Sequence, residues 1–113
     1  MKFLFEYLTN DHDESKPLIY AWYIGNSIYV GKSDKGSKRP LKHYRRNVER
    51  YFSGKPYRAS NPDGWRLVHK ALVNAVKTNQ PIRLELVCNV PPTGNIYDIE
   101  REWRTRLKAD LNG

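Results

Sequence analysis

Two short runs of β-branched and aromatic residues, within Leu18 to Lys32, are split by the dipeptide Gly25-Asn26. That arrangement predicts a β-hairpin, and glycine as the first central residue suits a type II′ turn. Counting outward from the turn sets Ile24 against Ser27, Tyr23 against Ile28, Trp22 against Tyr29, Ala21 against Val30 and Tyr20 against Gly31. Side chains alternate across a strand, so Tyr20, Trp22, Ile24, Ser27, Tyr29 and Gly31 share one face. Ile19, Ala21, Tyr23, Ile28 and Val30 share the other, which reads as a core face. The first face carries two tyrosines on a diagonal beside a glycine. It predicts open space over the backbone, and with it a site.

Helical spacing follows the hairpin. Ser37 is placed to cap a helix running to about Phe52, with Pro40 in its first turn, where a missing N–H costs little. Leu41, Tyr44, Val48 and Phe52 form the apolar stripe of that helix, and Arg39, His43, Arg46 and Arg50 form the opposite one. Trp65, Val68, Leu72 and Val76 predict a second helix over Trp65 to Lys77, with Asp63 as its cap. Ile82 to Val90 alternates Ile82, Leu84, Leu86 and Cys88 against Arg83, Glu85, Val87 and Asn89, a strand apolar enough to be central. Ile96, Ile99, Trp103 and Leu107 line one side of a last helix, Tyr97 to Leu107. Thr9 to Pro17, Ser53 to Gly64 and Pro91 to Gly94 are rich in turn-forming residues and read as loops. Met1 to Leu8 is apolar with partial alternation and fits either an edge strand or a short helix. The order β-β-α-α-β-α is that of an α+β fold, a three-stranded antiparallel-type sheet flanked by about three helices. At 113 residues the chain makes one domain, with residues 1–17 as an N-terminal extension.

Charge narrows the function. The 20 Lys and Arg against 12 Asp and Glu leave a net charge of +8. Such an excess favours a polyanionic partner, nucleic acid before an anionic membrane. Cys88 is the sole cysteine, which excludes an intramolecular disulfide and a cysteine-based zinc site and fits a reducing, cytoplasmic setting. No stretch approaches the ~20 apolar residues of a membrane span, and no signal-peptide pattern opens the chain. His12, among Asp11, Asp13 and Glu14, belongs either to a metal cluster or, more simply, to a solvated loop.

Glu100 stands four residues after Ile96 and three before Trp103, on the flank of the apolar side of its helix. A carboxylate there needs a cation to offset desolvation, and a basic side chain serves as well as a metal ion. Lys32, paired with Ile19, leaves the sheet on the face away from the tyrosines and reads as a phosphate contact. Lys38, Lys42, Arg46, Arg50, Lys55 and Arg58 continue the positive surface, in the manner of residues that track a nucleic-acid backbone. Tyr57 and Trp65 either stack on bases or pack beneath the Ser53 to Gly64 loop.

The tripeptides Leu18-Ile19-Tyr20 and Tyr29-Val30-Gly31, then Arg39 eight positions after Gly31, His43 four further on and Glu100 in the last helix, recur in a known order. Their order and spacing resemble the GIY-YIG nuclease family over residues 18–112. Tyr23-Ile24-Gly25 spells the second motif literally, but placing the motif there leaves no room for a preceding hairpin and misplaces the arginine. Leu18 replaces the family's first glycine, and the hairpin between the two motif tyrosines is shorter than usual, which the tight Gly25-Asn26 turn explains. Pro40 directly after the arginine is a further departure.

The resemblance implies a divalent-metal-dependent endonuclease hydrolysing phosphodiester bonds of DNA. A nuclease restricted to single-stranded DNA or RNA, and a non-catalytic nucleic-acid-binding domain of the same fold, are the alternatives. It implies Tyr20, Tyr29, Arg39, His43 and Glu100 as the catalytic set. Tyr20, with Tyr29 and His43 near it, would orient or deprotonate the attacking water, while Arg39 and the metal supply the charge that lowers a tyrosine's pKa. Arg39 would grip the scissile phosphate and Glu100 would hold Mg²⁺ or Mn²⁺. Glu102 is the rival of Glu100, set among the polar Asp98, Thr105 and Arg106. Asn112, twelve after Glu100, matches the asparagine that often closes the family's site.

Overall fold

β1 (Glu6–Leu8), β2 (Leu18–Ile24), β3 (Ser27–Ser33), α1 (Lys38–Phe52), α2 (Leu67–Thr78), β4 (Ile82–Asn89) and α3 (Ile96–Leu107) follow one another along the chain. The computed structural model describes residues 3–112; Met1 and Lys2, which begin the N-terminal apolar run, lie outside the described residues, as does Gly113. β2 and β3 form the hairpin in the register counted from Gly25-Asn26, with Tyr20 opposite Gly31 and Trp22 opposite Tyr29. Gly25 has φ 59°, while Asn26 stays at negative φ, as a turn with glycine in the first central place requires.

The sheet has four strands in the order β1-β4-β2-β3, one more than the periodicity predicts. β2 is antiparallel to both neighbours, but β1 runs parallel to β4, so the sheet is mixed. The N-terminal extension is therefore part of the sheet layer. Phe3, just before β1, is buried with its ring 5.9 Å from that of Trp22.

β4 is central, as its apolar content predicts, yet its alternation is interrupted. Ile19 pairs with Cys88 and Tyr20 with Leu86, leaving Val87 as a bulge. The bulge moves Cys88 to the face opposite Leu84 and Leu86, where it packs against Ile19 and Val90. The unbroken alternation expected for this strand is thus wrong at its last residues.

Each face of the sheet has its own cover. Leu18, Tyr20, Trp22, Ile24, Leu84 and Leu86 are buried under α1 and α2, with Tyr44, Val48 and Leu72 as the facing side chains. Ile19, Ala21 and Val30 are buried under α3 through Ile96, Ile99, Trp103 and Leu107. The tyrosine face, expected to be open, is in fact the larger core.

The helix ends differ in detail from expectation. Ser37 is the N-cap of α1, but its hydroxyl bonds Glu14 (3.0 Å) instead of a helix N–H. Tyr7 also donates to Glu14 (2.6 Å), so the Thr9 to Pro17 loop is tied down across the start of α1. α2 starts at Leu67, two residues later than predicted, with Arg66 in place of Asp63 at its N-cap. The His69 side chain accepts the Arg66 N–H at 3.2 Å. Asn95 caps α3, its side-chain oxygen accepting from the N–H groups of Tyr97 and Asp98.

β3 is an edge strand, and the C-terminal segment closes part of that edge. Asp110 and Leu111 donate their N–H groups to the Ile28 carbonyl (3.1 Å each), and the Asp110 carboxylate accepts the Ile28 N–H (2.7 Å). Asn112 then accepts the Val30 N–H (3.0 Å) and donates to the Val30 carbonyl (2.7 Å). The clasp ends there, one alternation short of Lys32. No helix among the described residues is long and apolar enough to cross a membrane.

Candidate active site

α1 turns its whole basic stripe toward one cleft of about 580 Å³. Arg39, His43, Arg46 and Arg50 all line it, with Tyr20 and Arg58. A second cleft, of about 460 Å³, takes in Tyr29, Glu100 and Asn112. Lys32 and Arg66 line both, so the two clefts share a rim. The edge position of β3 makes this arrangement possible. Tyr20 and Tyr29 belong to the face under α1 and α2, Glu100 to the helix on the other face, and only at an edge can side chains from both sides meet. The five predicted catalytic residues are gathered in this region, with Tyr20, Arg39 and His43 in the first cleft and Tyr29 and Glu100 in the second.

Tyr20 is not exposed over an open backbone. Its ring lies directly on Gly31, where a Cβ would collide with Cζ, and only 6% of the residue is accessible. Its hydroxyl bonds that of Tyr44 at 3.0 Å, and the two rings meet edge to face at 6.0 Å. Burial, followed by the neighbouring Tyr29, pushes the Tyr20 phenol well above its ordinary pKa. The cation that opposes this is Arg66, not Arg39. The expectation of an open space beside this residue is therefore corrected. Tyr29 differs: it is half-buried, and its hydroxyl accepts a hydrogen bond from the Arg66 guanidinium at 3.2 Å.

His43 is half-buried, and partial burial, then Arg46, Arg39, Lys42 and Arg58, hold its imidazole below the usual histidine range. A lowered pKa favours the neutral imidazole, the form that can accept a proton.

Glu100 is buried, at 8% accessibility. The cation it requires is supplied by side chains: Lys32 donates to Oε2 at 3.1 Å and Arg104 approaches Oε1 at 3.7 Å. Lys32 also lies 4.8 Å over the Tyr97 ring. It leaves the sheet on the α3 side, as the register predicts, and from the edge it still reaches both clefts. Glu102 sits on the exposed side of α3, paired with Arg106 at 2.6 Å.

No group of three His, Cys, Asp or Glu side chains converges among the described residues, around Glu100 or around His12. A divalent ion at Glu100 would have one protein carboxylate and take its other ligands from water and substrate phosphate. That donor set suits Mg²⁺, which keeps much of its hydration shell.

The remaining predicted contacts divide. Arg46 and Arg58 line the first cleft, Arg58 stacked 5.1 Å from the Tyr57 ring centre. Arg50 lines it too, but donates twice to the Pro56 carbonyl (3.1 and 2.8 Å) and so pins the following loop. Lys38, Lys42 and Lys55 are exposed and line neither cleft. Asn112 borders the second cleft, yet both ends of its amide are held by the Val30 backbone, which makes it a clasp. Tyr57 and Trp65 pack against each other (5.1 Å) and against His69 (5.6 and 5.7 Å), the second of the two readings given for them.

Three participants escaped the sequence. Tyr44 was hidden in an apolar stripe, although a hydroxyl on such a stripe is a signal that something polar faces it. Arg66, inside the predicted second helix but off its apolar stripe, gave none. His69 is fully buried on α2. Its Nδ1 accepts the Arg66 N–H, and its Nε2 lies 3.3 Å from the side-chain amide nitrogen of Asn47. Burial, then Arg66, lowers the His69 pKa to about 4. Comparison with protein-family models, with curated proteins and with solved structures finds no match for this chain.

Proposed function

We propose that this chain is a GIY-YIG-type endonuclease that hydrolyses phosphodiester bonds of DNA with the help of a divalent metal ion. One observation carries the reading: Lys32 joins the Glu100 carboxylate to the same rim that borders Tyr20, Arg39 and His43. Hydrolysis of a phosphodiester needs a proton acceptor for water, charge to stabilise the phosphate and help for the leaving oxygen. Arg39 offers a planar fork to the phosphate, and the neutral His43 imidazole offers a proton-accepting nitrogen. A tyrosine hydroxyl in contact with the guanidinium of Arg66 is the better candidate for orienting water than the sequestered Tyr20. Mg²⁺ or Mn²⁺ held by Glu100 would supply Lewis-acid stabilisation of the phosphate and the departing oxygen. The row Arg39, Arg46 and Arg58 would carry the flanking backbone.

A second reading has an observation of its own. Both Glu100 oxygens face cations, and Tyr20 is buried and bonded to Tyr44, an arrangement that suits a nucleic-acid-binding domain without catalysis. Incubation with supercoiled plasmid, linear duplex, single-stranded DNA and RNA, with Mg²⁺ and with EDTA, separates the two. Cleavage that needs the metal and is lost in Glu100→Gln supports the nuclease; equal cleavage by Glu100→Gln refutes the assignment. Binding without cleavage in any metal supports the second reading.

A further inference from the structure

Lys32, Arg83, Arg101, Arg104 and Arg106 each have a carboxylate within ion-pairing distance. Arg66 has none among the described residues, although it faces both clefts. Its guanidinium makes a single side-chain hydrogen bond, to Tyr29. The surroundings are aromatic: the guanidinium carbon lies 5.8 Å from the Tyr29 ring centre, and the Tyr20 and Tyr44 phenols are close enough to feel its charge. A guanidinium has five N–H donors, and one bond to a phenol leaves most of them without a partner. Its backbone is fixed as the N-cap of α2, with the N–H held by His69, so the side chain projects from a rigid base. A cation so placed, aimed at a rim and without a counter-charge, is completed by an anion from outside the chain.

Resting on the nuclease reading of the same site, we propose that Arg66 is a second phosphate-binding residue, which orients Tyr29 through one N–H and takes a phosphate oxygen of the nucleic-acid backbone through the others. Arg39 and Arg66, which line the same cleft with Lys32, would then hold the strand together. The bond to Tyr29 makes the two roles interdependent. Phosphate drawn to Arg66 arrives beside the hydroxyl that the same side chain has oriented.

The test is binding, read in EDTA so that it does not depend on cleavage. Fluorescence anisotropy with a labelled oligonucleotide over a series of salt concentrations gives the number of phosphates engaged. Each lost contact lowers the slope of log K against log salt by about 0.9 for duplex or about 0.7 for single strands. Arg66→Gln is expected to weaken binding roughly tenfold and to lower the slope by about one contact, while Lys70→Gln, an equal charge loss on α2 outside both clefts, leaves the slope unchanged. Arg66→Lys should restore the slope without restoring the bond to Tyr29, so that any metal-dependent cleavage stays low in kcat while KM recovers. An unchanged slope in Arg66→Gln, or an equal fall in Lys70→Gln, overturns the proposal. A slope restored in Arg66→Lys excludes a folding defect as the cause. Absence of cleavage in every protein, with these binding results intact, would remove the nuclease reading and leave the phosphate contact standing.

Discussion

Gly31→Ala is a one-methyl change at the hairpin whose cost follows from the position of the Tyr20 ring. A Cβ at residue 31 meets Cζ of Tyr20 in hard overlap, with Oη at 2.5 Å and Cε2 at 2.7 Å. The ring has little room to retreat, because it is packed edge to face on Tyr44 and accessible over only 6% of the residue. Overpacking of this kind costs about 1–3 kcal/mol. A displaced ring also loses the 3.0 Å bond to the Tyr44 hydroxyl, worth about 1 kcal/mol in a buried setting. The sum is about 2–4 kcal/mol, a fall in Tm of roughly 10 °C for a domain of this size. Urea unfolding followed by tryptophan fluorescence measures it directly. The decisive arm is the Tyr20→Leu background, which lacks Cζ, Cε2 and Oη. There Gly31→Ala should cost less than about 0.5 kcal/mol, giving a coupling of at least about 1.5 kcal/mol between the two positions. An equal cost in both backgrounds would refute the steric account and place the penalty in the backbone of β3.

Two further outcomes follow from the same structure. Asn112→Ala removes both side-chain bonds to Val30 and should cost about 1–2 kcal/mol, with faster hydrogen exchange at the Val30 amide as the local signature; unchanged protection there would mean that the clasp is not needed. His69 has a folded-state pKa of about 4, below the ordinary histidine value of 6.5. The unfolded chain therefore takes up a proton first as pH falls, so this contribution is fully present above pH 6.5 and is lost between pH 6.5 and about 4, by about 3 kcal/mol in all. Urea midpoints at pH 7, 5.5 and 4 should show a shallower acid decline in His69→Gln than in the parent, and parallel declines would contradict the argument.

The hairpin was legible residue by residue because Gly25-Asn26 fixes the turn and period two fixes everything outward from it. The same is true of the basic stripe on α1, where a period of 3.6 puts Arg39, His43, Arg46 and Arg50 on one side and leaves the cleft as their natural outlet. Glu100 could be picked out as a carboxylate on an apolar flank, but not the identity of the cations that meet it. Lys32 and Arg104 depend on how closely α3 lies along the edge of β3, a tertiary distance that no spacing encodes. β1 stayed undecided between edge strand and short helix because three residues are too few to show a period, and its partner β4 is 77 residues away (Glu6 to Arg83). Gly31 misled for a different reason. A missing side chain signals space only if no neighbour fills it, and Tyr20 does. Arg66 fell inside the predicted second helix but off its apolar stripe and in no motif, and only the rim shared by two clefts gives it meaning.

The clasp along β3 has a further consequence for how this chain behaves among its own copies. An open sheet edge is a template on which another chain can lay down a strand. Here the two edges are blunted by unrelated means. β1 is only three residues long, and the opposite edge is matched to the chain's own tail through the side chains of Asp110 and Asn112 as well as through main-chain bonds. Those two polar residues thus act as an internal terminator of strand addition. Loosening them would expose Ile28 and Val30, a β-branched pair, and convert a closed margin into a nucleus for edge-to-edge polymerisation next to the rim shared by the two clefts.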